Sequence, residues 1–253
     1  MGLASQIMSR TPTRALIPAI AWQYRLFEPE LGRLGEIVPS GRGAVDVGVW
    51  WGPWSWWLAR RVPRVDSFEP NPDLVARLTS HMPSNVFLHP IALSNRSGES
   101  SLWIPGGGMG TEGRASLEAE TRTDSNWRKE AVLTSRLDDF DLGDVGFVKI
   151  DVEGHEFEVL QGATNLLATQ RPTLLVEIEQ HAHRTGELDK ILEFLRERSY
   201  RGKYLQKGRW HPVEELDREA VKAMADKVAK HGYAVDLLFY VRRYVHNFVF
   251  EPV

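Results

Sequence analysis

The sequence predicts an α/β fold in which a doubly wound, mostly parallel sheet carries helices on both faces. Three observations support this. From Gly43 onward, short apolar runs alternate with stretches of helical period, the pattern of successive βαβ units. The run at 44–47 ends in Gly48, with Gly52 four residues on, as in a sharp strand-to-helix turn. An acid, Glu69, closes the next run about 20 residues later, where doubly wound folds hold a ribose.

Residues 44–47 form the first strand, and a helix opens at Pro53, a residue suited to a first helical turn. Residues 65–68 form the second strand, closed by Glu69-Pro70-Asn71-Pro72. Residues 73–81 form a helix with Leu74, Val75 and Leu78 on one face. Residues 85–88 form a third strand. Two β segments, 99–104 and 131–136, flank a glycine-rich stretch at 106–126 that is expected to be a mobile loop. Its glycines do not join a strand to a helix, so they serve turns and not a phosphate cradle. A buried strand at 146–151, one helix at 153–168, a buried strand at 173–178 and a helix at 186–198 follow. The chain then offers a hairpin around 204–210, a charged helix at 213–230 and an apolar run at 235–241. The simplest division is a helical extension at 1–40 and one domain at 41–253.

Composition narrows the function. The chain has 253 residues, 42% hydrophobic and 26% charged, as in ordinary globular proteins. Its net charge of −3, from 31 basic and 34 acidic residues well mixed, argues against nucleic acid as the main partner. The absence of cysteine excludes disulfides, thiolate metal sites and a cysteine nucleophile, and fits a cytoplasmic enzyme. An apolar run at 15–22 contains Pro18 and falls short of the roughly 20 residues a membrane-spanning helix needs. No cleavage pattern follows it, so a docking helix is expected and not a signal peptide, with room for a peripheral membrane contact. A homo-oligomer is compatible with all of this.

The cofactor class follows from the turn. Only Gly48 and Gly52 are present, with bulky indoles between them, so no GxGxxG leaves a helix N-terminus open to pyrophosphate. Asp46, two places before Gly48, suits a cofactor with a positive amino group. S-adenosylmethionine satisfies both conditions, with Glu69 on its ribose.

The segments VDVGVWWG, SFEPNP, IALSNRSGESSLWI, SRLDDF, GFVKIDVEGHEFEVLQGA, PTLLVEIE and YVHNFVF, in this order, resemble the FkbM family of S-adenosylmethionine-dependent methyltransferases. The resemblance runs from about Leu31 to Phe250. It implies a Rossmann-like class I methyltransferase fold with a final antiparallel strand, and O-methylation of sugar or polyketide hydroxyls. It implies that Asp46 and Gly48 belong to the first cofactor motif, that Glu69 binds ribose, and that Ala92 to Ser94 lie beside adenine. One departure stands out: the family motif is close to DVGANxG, and Val49 and Trp50 occupy the places of its small residue and asparagine.

Methyl transfer to a hydroxyl needs in-line positioning and a base for the proton. Candidates cluster at two strand ends: Lys149, Asp151, Glu153, His155 and Glu156, then Glu177, Glu179, His181 and His183. Strand parity points Lys149 with Asp151 and Glu177 with Glu179. Asp151 ranks first, because a charge ending a buried strand is costly unless paired or used. Glu153, Glu179 and His181 follow. Asp151 and Glu179 together would hold Mg²⁺, which orients a hydroxyl and lowers its pKa. The expected acceptor is a sugar hydroxyl in a polysaccharide, glycolipid or glycosylated metabolite. Alternatives are a polyketide or lipid hydroxyl or a nitrogen, a non-catalytic Rossmann module, and a nicotinamide oxidoreductase. The intact acids argue against the module, and the missing GxGxxG against the oxidoreductase.

The stretch VWWGPWSWWL holds five of the nine tryptophans. Trp54, Trp57 and Leu58 share one helical face toward the sheet, and Trp56 lies off it. Trp50 and Trp51 occupy the cofactor loop, and Trp50 is assigned to the cofactor.

Overall fold

The computed structural model describes residues 13–106, 112–118, 126–178, 186–231 and 245–253. Helix α1 (Thr13–Tyr24) and the single turn α2 (Leu34–Ile37) precede β1 (Gly43–Val47), α3 (Pro53–Leu58), β2 (Val65–Phe68), α4 (Pro72–Leu78) and β3 (Val86–His89). Three strands follow, β4 (Ala92–Leu93), β5 (Gly98–Pro105) and β6 (Trp127–Ser135). The chain returns through β7 (Val145–Ile150), α5 (Glu156–Gln161), α6 (Thr164–Thr169), β8 (Thr173–Glu177) and α7 (Glu187–Arg196). It ends with β9 (Tyr200–Gln206), β10 (Arg209–Pro212), α8 (Arg218–His231) and β11 (Asn247–Pro252).

The main sheet has the order β10-β9-β11-β8-β7-β1-β2-β3. Strands β3, β2, β1, β7 and β8 are parallel, whereas β11 runs antiparallel to both β8 and β9. The chain winds outward from β1 to β3 and then resumes on the other side of β1 at β7. That reversal puts a switch point between β1 and β7, where the carboxyl ends diverge and a ligand can enter. The fold is that of a class I methyltransferase, as the sequence predicts.

Alternation along the strands builds two cores. Val45, Val148, Ile150, Leu174, Val176, Phe248 and Phe250 face one side, against Val159, Leu160, Leu167, Ile191 and Leu195 of the helices. Ala44, Phe147, Leu175 and Val249 face the other, against Trp54, Leu58, Leu31 and Ile37. The Trp54 ring stacks on Phe147 with centroids 6.3 Å apart. Trp57 is half-buried, edge-on to Trp22 at 4.7 Å, and its indole N–H donates to the Ala21 carbonyl at 2.8 Å, tying α3 to α1. Trp56 packs against Ile17, Val49 and Leu78. Trp51, although in the loop, is fully buried against Leu16, Ile20 and Leu74.

Three expectations change. The stretch 153–168 is not one helix. Glu153 (φ 57°) and Gly154 (φ 101°) take left-handed conformations that hold the chain in a turn until α5 begins. At Gly162 a Cβ would lie 2.0 Å from the Ser94 carbonyl oxygen, so the chain bends under the β4 connection. Helix α6 then starts afresh, with Asp138 accepting the N–H groups of Asn165 and Leu166 at 2.8 and 2.9 Å. The second change is that the two segments around the glycine-rich stretch form a separate sheet, β4-β6-β5. Third, the charged helix at 213–230 is a short 3-10 turn followed by α8, where Asp217 accepts the Ala220 N–H at 3.0 Å. The apolar run at 235–241 lies outside the described residues. No helix among them is long and apolar enough to cross a membrane.

Candidate active site

The carboxyl ends of β1, β2 and β7 frame a cavity whose floor is backbone. Gly48 (φ 82°) turns out of β1 so close to β7 that a Cβ there would lie 1.7 Å from the Asp151 carbonyl oxygen. Asp151 N–H donates to the Val47 carbonyl at 3.0 Å, extending the parallel ladder beyond β7. Any side chain at 48 would break this junction. Gly52 (φ 76°), also expected at the cofactor, faces away from the cavity: its Cβ would meet Met82 Cε at 2.9 Å. It is a packing glycine at the start of α3.

Glu69 ends β2 and lines the cavity while only 5% exposed. Its Oε2 accepts the Trp50 backbone N–H and its Oε1 the Asn71 N–H, both at 2.9 Å. Burial pushes the Glu69 carboxyl up, the backbone N–H groups of Asn71, Trp50 and Val49 and the charge of Lys149 pull it down, and burial prevails, leaving its pKa at about 7. Trp50 sits in a left-handed conformation (φ 50°) and lines the cavity, its ring 5.4 Å from Tyr24 and beneath Gly113.

Asp46 is fully buried and lies outside the cavity lining. Strand parity turns it to the inner face, where its carboxylate accepts the Ser55 hydroxyl and lies 3.8 Å from Lys149 Nζ. Burial raises its pKa against the opposing pull of Lys149 and Ser55. In this structure its contacts are thus with Ser55 and Lys149, at the base of the strand ends that frame the cavity.

Lys149 links the strand ends. Its ammonium donates to the Gly48 carbonyl at 2.9 Å and to Asp151 Oδ2 at 3.0 Å. Burial opposes its charge, but Asp151, Asp46 and Glu28 together outweigh that and hold its pKa above the ordinary lysine value. Asp151 is partly exposed and lines the cavity. Glu153 also lines it, and its carbonyl accepts the Ser116 hydroxyl at 2.8 Å. Glu156, by contrast, turns back to accept the Val152 and Gly154 N–H groups at 3.0 Å each, the role of a helix-start acid.

On the opposite wall Ala92 and Leu93 line the cavity, but Ser94 does not. Its hydroxyl meets His155 Nε2 at 2.9 Å, and His155 Nδ1 meets Glu118 Oε1 at 2.7 Å. Together with Ser116, which pairs with Trp103, this bond straps residues 112–118 across the cavity. Glu179, His181 and His183 lie outside the described residues, so the expected Asp151–Glu179 metal pair is not part of the described site. Glu177 instead lies with Glu28 and His246, one ligand atom of each within 4.8 Å of the others. Glu28 and His246 are far apart in the sequence and carry no motif signal of their own beyond the histidine in YVHNFVF.

Comparison with known proteins agrees with this geometry. Residues 44–201 match the family model described as the methyltransferase FkbM domain. The hexuronic acid methyltransferase AglP of Haloferax volcanii is 35% identical over 122 residues, 47% of this chain and 47% of its own. The crystal structure of methyltransferase FkbM from Methylobacillus flagellatus KT superposes with a TM-score of 0.52 at 14% identity, over 86% of this chain and 46% of that one. The match thus spans about half the length of each of these relatives. The family model covers more than half of the chain, including the ends of β1, β2 and β7 that frame the cavity, and the chain belongs to the FkbM methyltransferase family.

Proposed function

We propose that the protein is an S-adenosylmethionine-dependent O-methyltransferase whose acceptor is a sugar hydroxyl. The observation that carries the cofactor is Glu69: a buried acid at the end of β2, facing a cavity floored by the Gly48 turn. That is where the ribose of an adenosine cofactor is held in a doubly wound sheet. Ala92 and Leu93 line the cavity with apolar surface suited to adenine, and the presence of Trp50 in the same lining supports packing on the methionine arm. The sugar acceptor is supported by the likeness to AglP, whose name gives hexuronic acid as its substrate.

In this reading the acceptor enters from the side of Asp151. S-adenosylmethionine, held by Glu69 over the Gly48 turn, would supply an electrophilic methyl group to the acceptor hydroxyl, with S-adenosylhomocysteine as the leaving product. The hydroxyl proton passes to a carboxylate at the strand ends, Asp151 first among them. The Lys149–Asp151 pair fixes that carboxylate at the cavity edge, and positioning of this kind supplies much of the rate. Use of the cytoplasmic pool of S-adenosylmethionine fits the cysteine-free chain.

Calorimetry with S-adenosylhomocysteine and with NAD tests the cofactor: binding of the former alone is expected, and no binding of it rejects the reading. Methyl-transfer assays over uronic-acid and neutral glycans, polyketides and amines then test the acceptor. Transfer confined to a non-sugar acceptor would overturn the sugar assignment alone.

A further inference from the structure

We propose that Glu28, Glu177 and His246 bind a divalent transition-metal ion, with Mn²⁺ and Zn²⁺ the fitting chemistries. Three separate parts of the chain bring these side chains together: the segment after α1, the end of β8 and the residue before β11. One ligand atom from each lies within 4.8 Å of the other two. Metal–oxygen and metal–nitrogen bonds of about 2.0–2.2 Å need only a modest contraction of that triangle.

The backbone pins two of the three. Glu177 lies opposite Asn247 in the β8–β11 ladder, and Ile178 N–H donates to the His246 carbonyl at 2.7 Å. Glu28 is 4% exposed and held by two donors on Oε2, Trp54 Nε1 at 2.8 Å and Asn247 Nδ2 at 3.3 Å. Orienting bonds of this kind accompany ligating carboxylates. Asn247 supplies a second, independent sign: it is 3% exposed, its amide bears on Glu28, and its Oδ1 has no hydrogen-bond partner. A buried amide oxygen without a partner, on a side chain that bonds Glu28 and stands opposite Glu177 in the ladder, is a polar atom that a cation, or a water bound to one, would satisfy.

Among the described residues, Glu177 and His246 are half-buried while Glu28 is buried. Lys149 donates to Asp151 and the Gly48 carbonyl and bears on Glu28 through its charge alone. Two carboxylates and one imidazole favour a transition metal over Mg²⁺, which prefers oxygen alone. Where the ion bears on catalysis, the inference rests on the methyl-transfer reading: an acceptor hydroxyl coordinated there would be oriented and acidified.

The test uses the full chain, stripped with EDTA and titrated with Mn²⁺ (followed by electron paramagnetic resonance) and with Zn²⁺ by calorimetry. One ion per chain is expected. Glu177→Gln and His246→Ala should each weaken binding at least tenfold, while S-adenosylhomocysteine affinity stays within about threefold of the parent. Melting curves of both variants check that they fold, and Glu177→Gln keeps the size of the side chain. Absence of a stoichiometric ion, or parental metal affinity in both folded variants, overturns the proposal. S-adenosylhomocysteine binding without metal binding rejects the metal site alone. Metal binding without S-adenosylhomocysteine binding rejects the cofactor reading and leaves the site standing.

Discussion

The Trp50 backbone N–H donates to Glu69 Oε2 at 2.9 Å, so the residue that replaces the family's asparagine is tied through its main chain to the acid assigned to the ribose. The left-handed backbone at Trp50 makes this bond possible, and it joins the ends of β1 and β2 around the cavity. Loss of the asparagine side chain therefore leaves that link intact.

A pH dependence follows from Glu69. Its ordinary pKa of 4.5 is raised to about 7 in the fold. Below the ordinary value both states are protonated. Between it and about 7 the unfolded chain ionises first, so the ligand-free protein loses stability as pH rises, and the loss levels off above 7. The ionised form accepts ribose hydroxyls best. Affinity for S-adenosylhomocysteine should therefore tighten by up to about tenfold from pH 6 to 8. Calorimetry across that range should lose this component in Glu69→Gln; an unchanged profile would remove Glu69 from the ribose site.

Gly48→Ala should be far more damaging than Gly41→Ala. Both glycines have φ near 80°, at 82° and 84°, but position 41 has no atom within 4 Å of a Cβ, whereas position 48 has the Asp151 carbonyl at 1.7 Å. The Gly41 variant should lose about 1–2 kcal/mol from backbone strain alone. The Gly48 variant should lose more than about 3 kcal/mol and all measurable S-adenosylhomocysteine binding. Urea unfolding of the pair checks the contrast.

Asp151→Asn should lower kcat by about 100-fold or more, with S-adenosylhomocysteine affinity within about threefold of the parent. Lys149→Met should instead unfold the protein at lower denaturant, by about 3–5 kcal/mol, because it leaves buried Asp46 without its cation. Retained turnover in Asp151→Asn would reassign the base.

His155→Ala removes the group between Ser94 and Glu118. Amide exchange in residues 112–118 should accelerate, and S-adenosylhomocysteine should dissociate about tenfold faster. If exchange there is unchanged, the strap is held by Ser116 and its bonds to Trp103 and Glu153.

Four of the five parallel strands were legible as short, largely apolar runs and β2 (VDSF) by its place before the Glu69-Pro70-Asn71-Pro72 turn, and Glu69 by its spacing from Gly48. The long strands β5 and β6 were legible as β segments, but their pairing with β4 in a sheet of their own was not, because local sequence does not record which strands hydrogen-bond. Helical period extended across Gly162 because periodicity carries no record of the Ser94 backbone lying against it. Asp46 was recognised as special, but its inward direction depends on a burial pattern that includes every residue of β1. Glu28 and His246 were missed altogether: their juxtaposition is a product of the closed sheet, not of local sequence.

Kinship and architecture draw different boundaries around this enzyme. The family match starts at residue 44, yet Glu28 is roofed by Trp54 and bonded to Asn247 of the last strand. A protein trimmed to residues 44–201 would lose Glu28 and with it the bonds to Trp54 Nε1 and Asn247 Nδ2. The segment ahead of the family match is thus a tie rod of the sheet, fastening α3 to the last strand through one buried carboxylate.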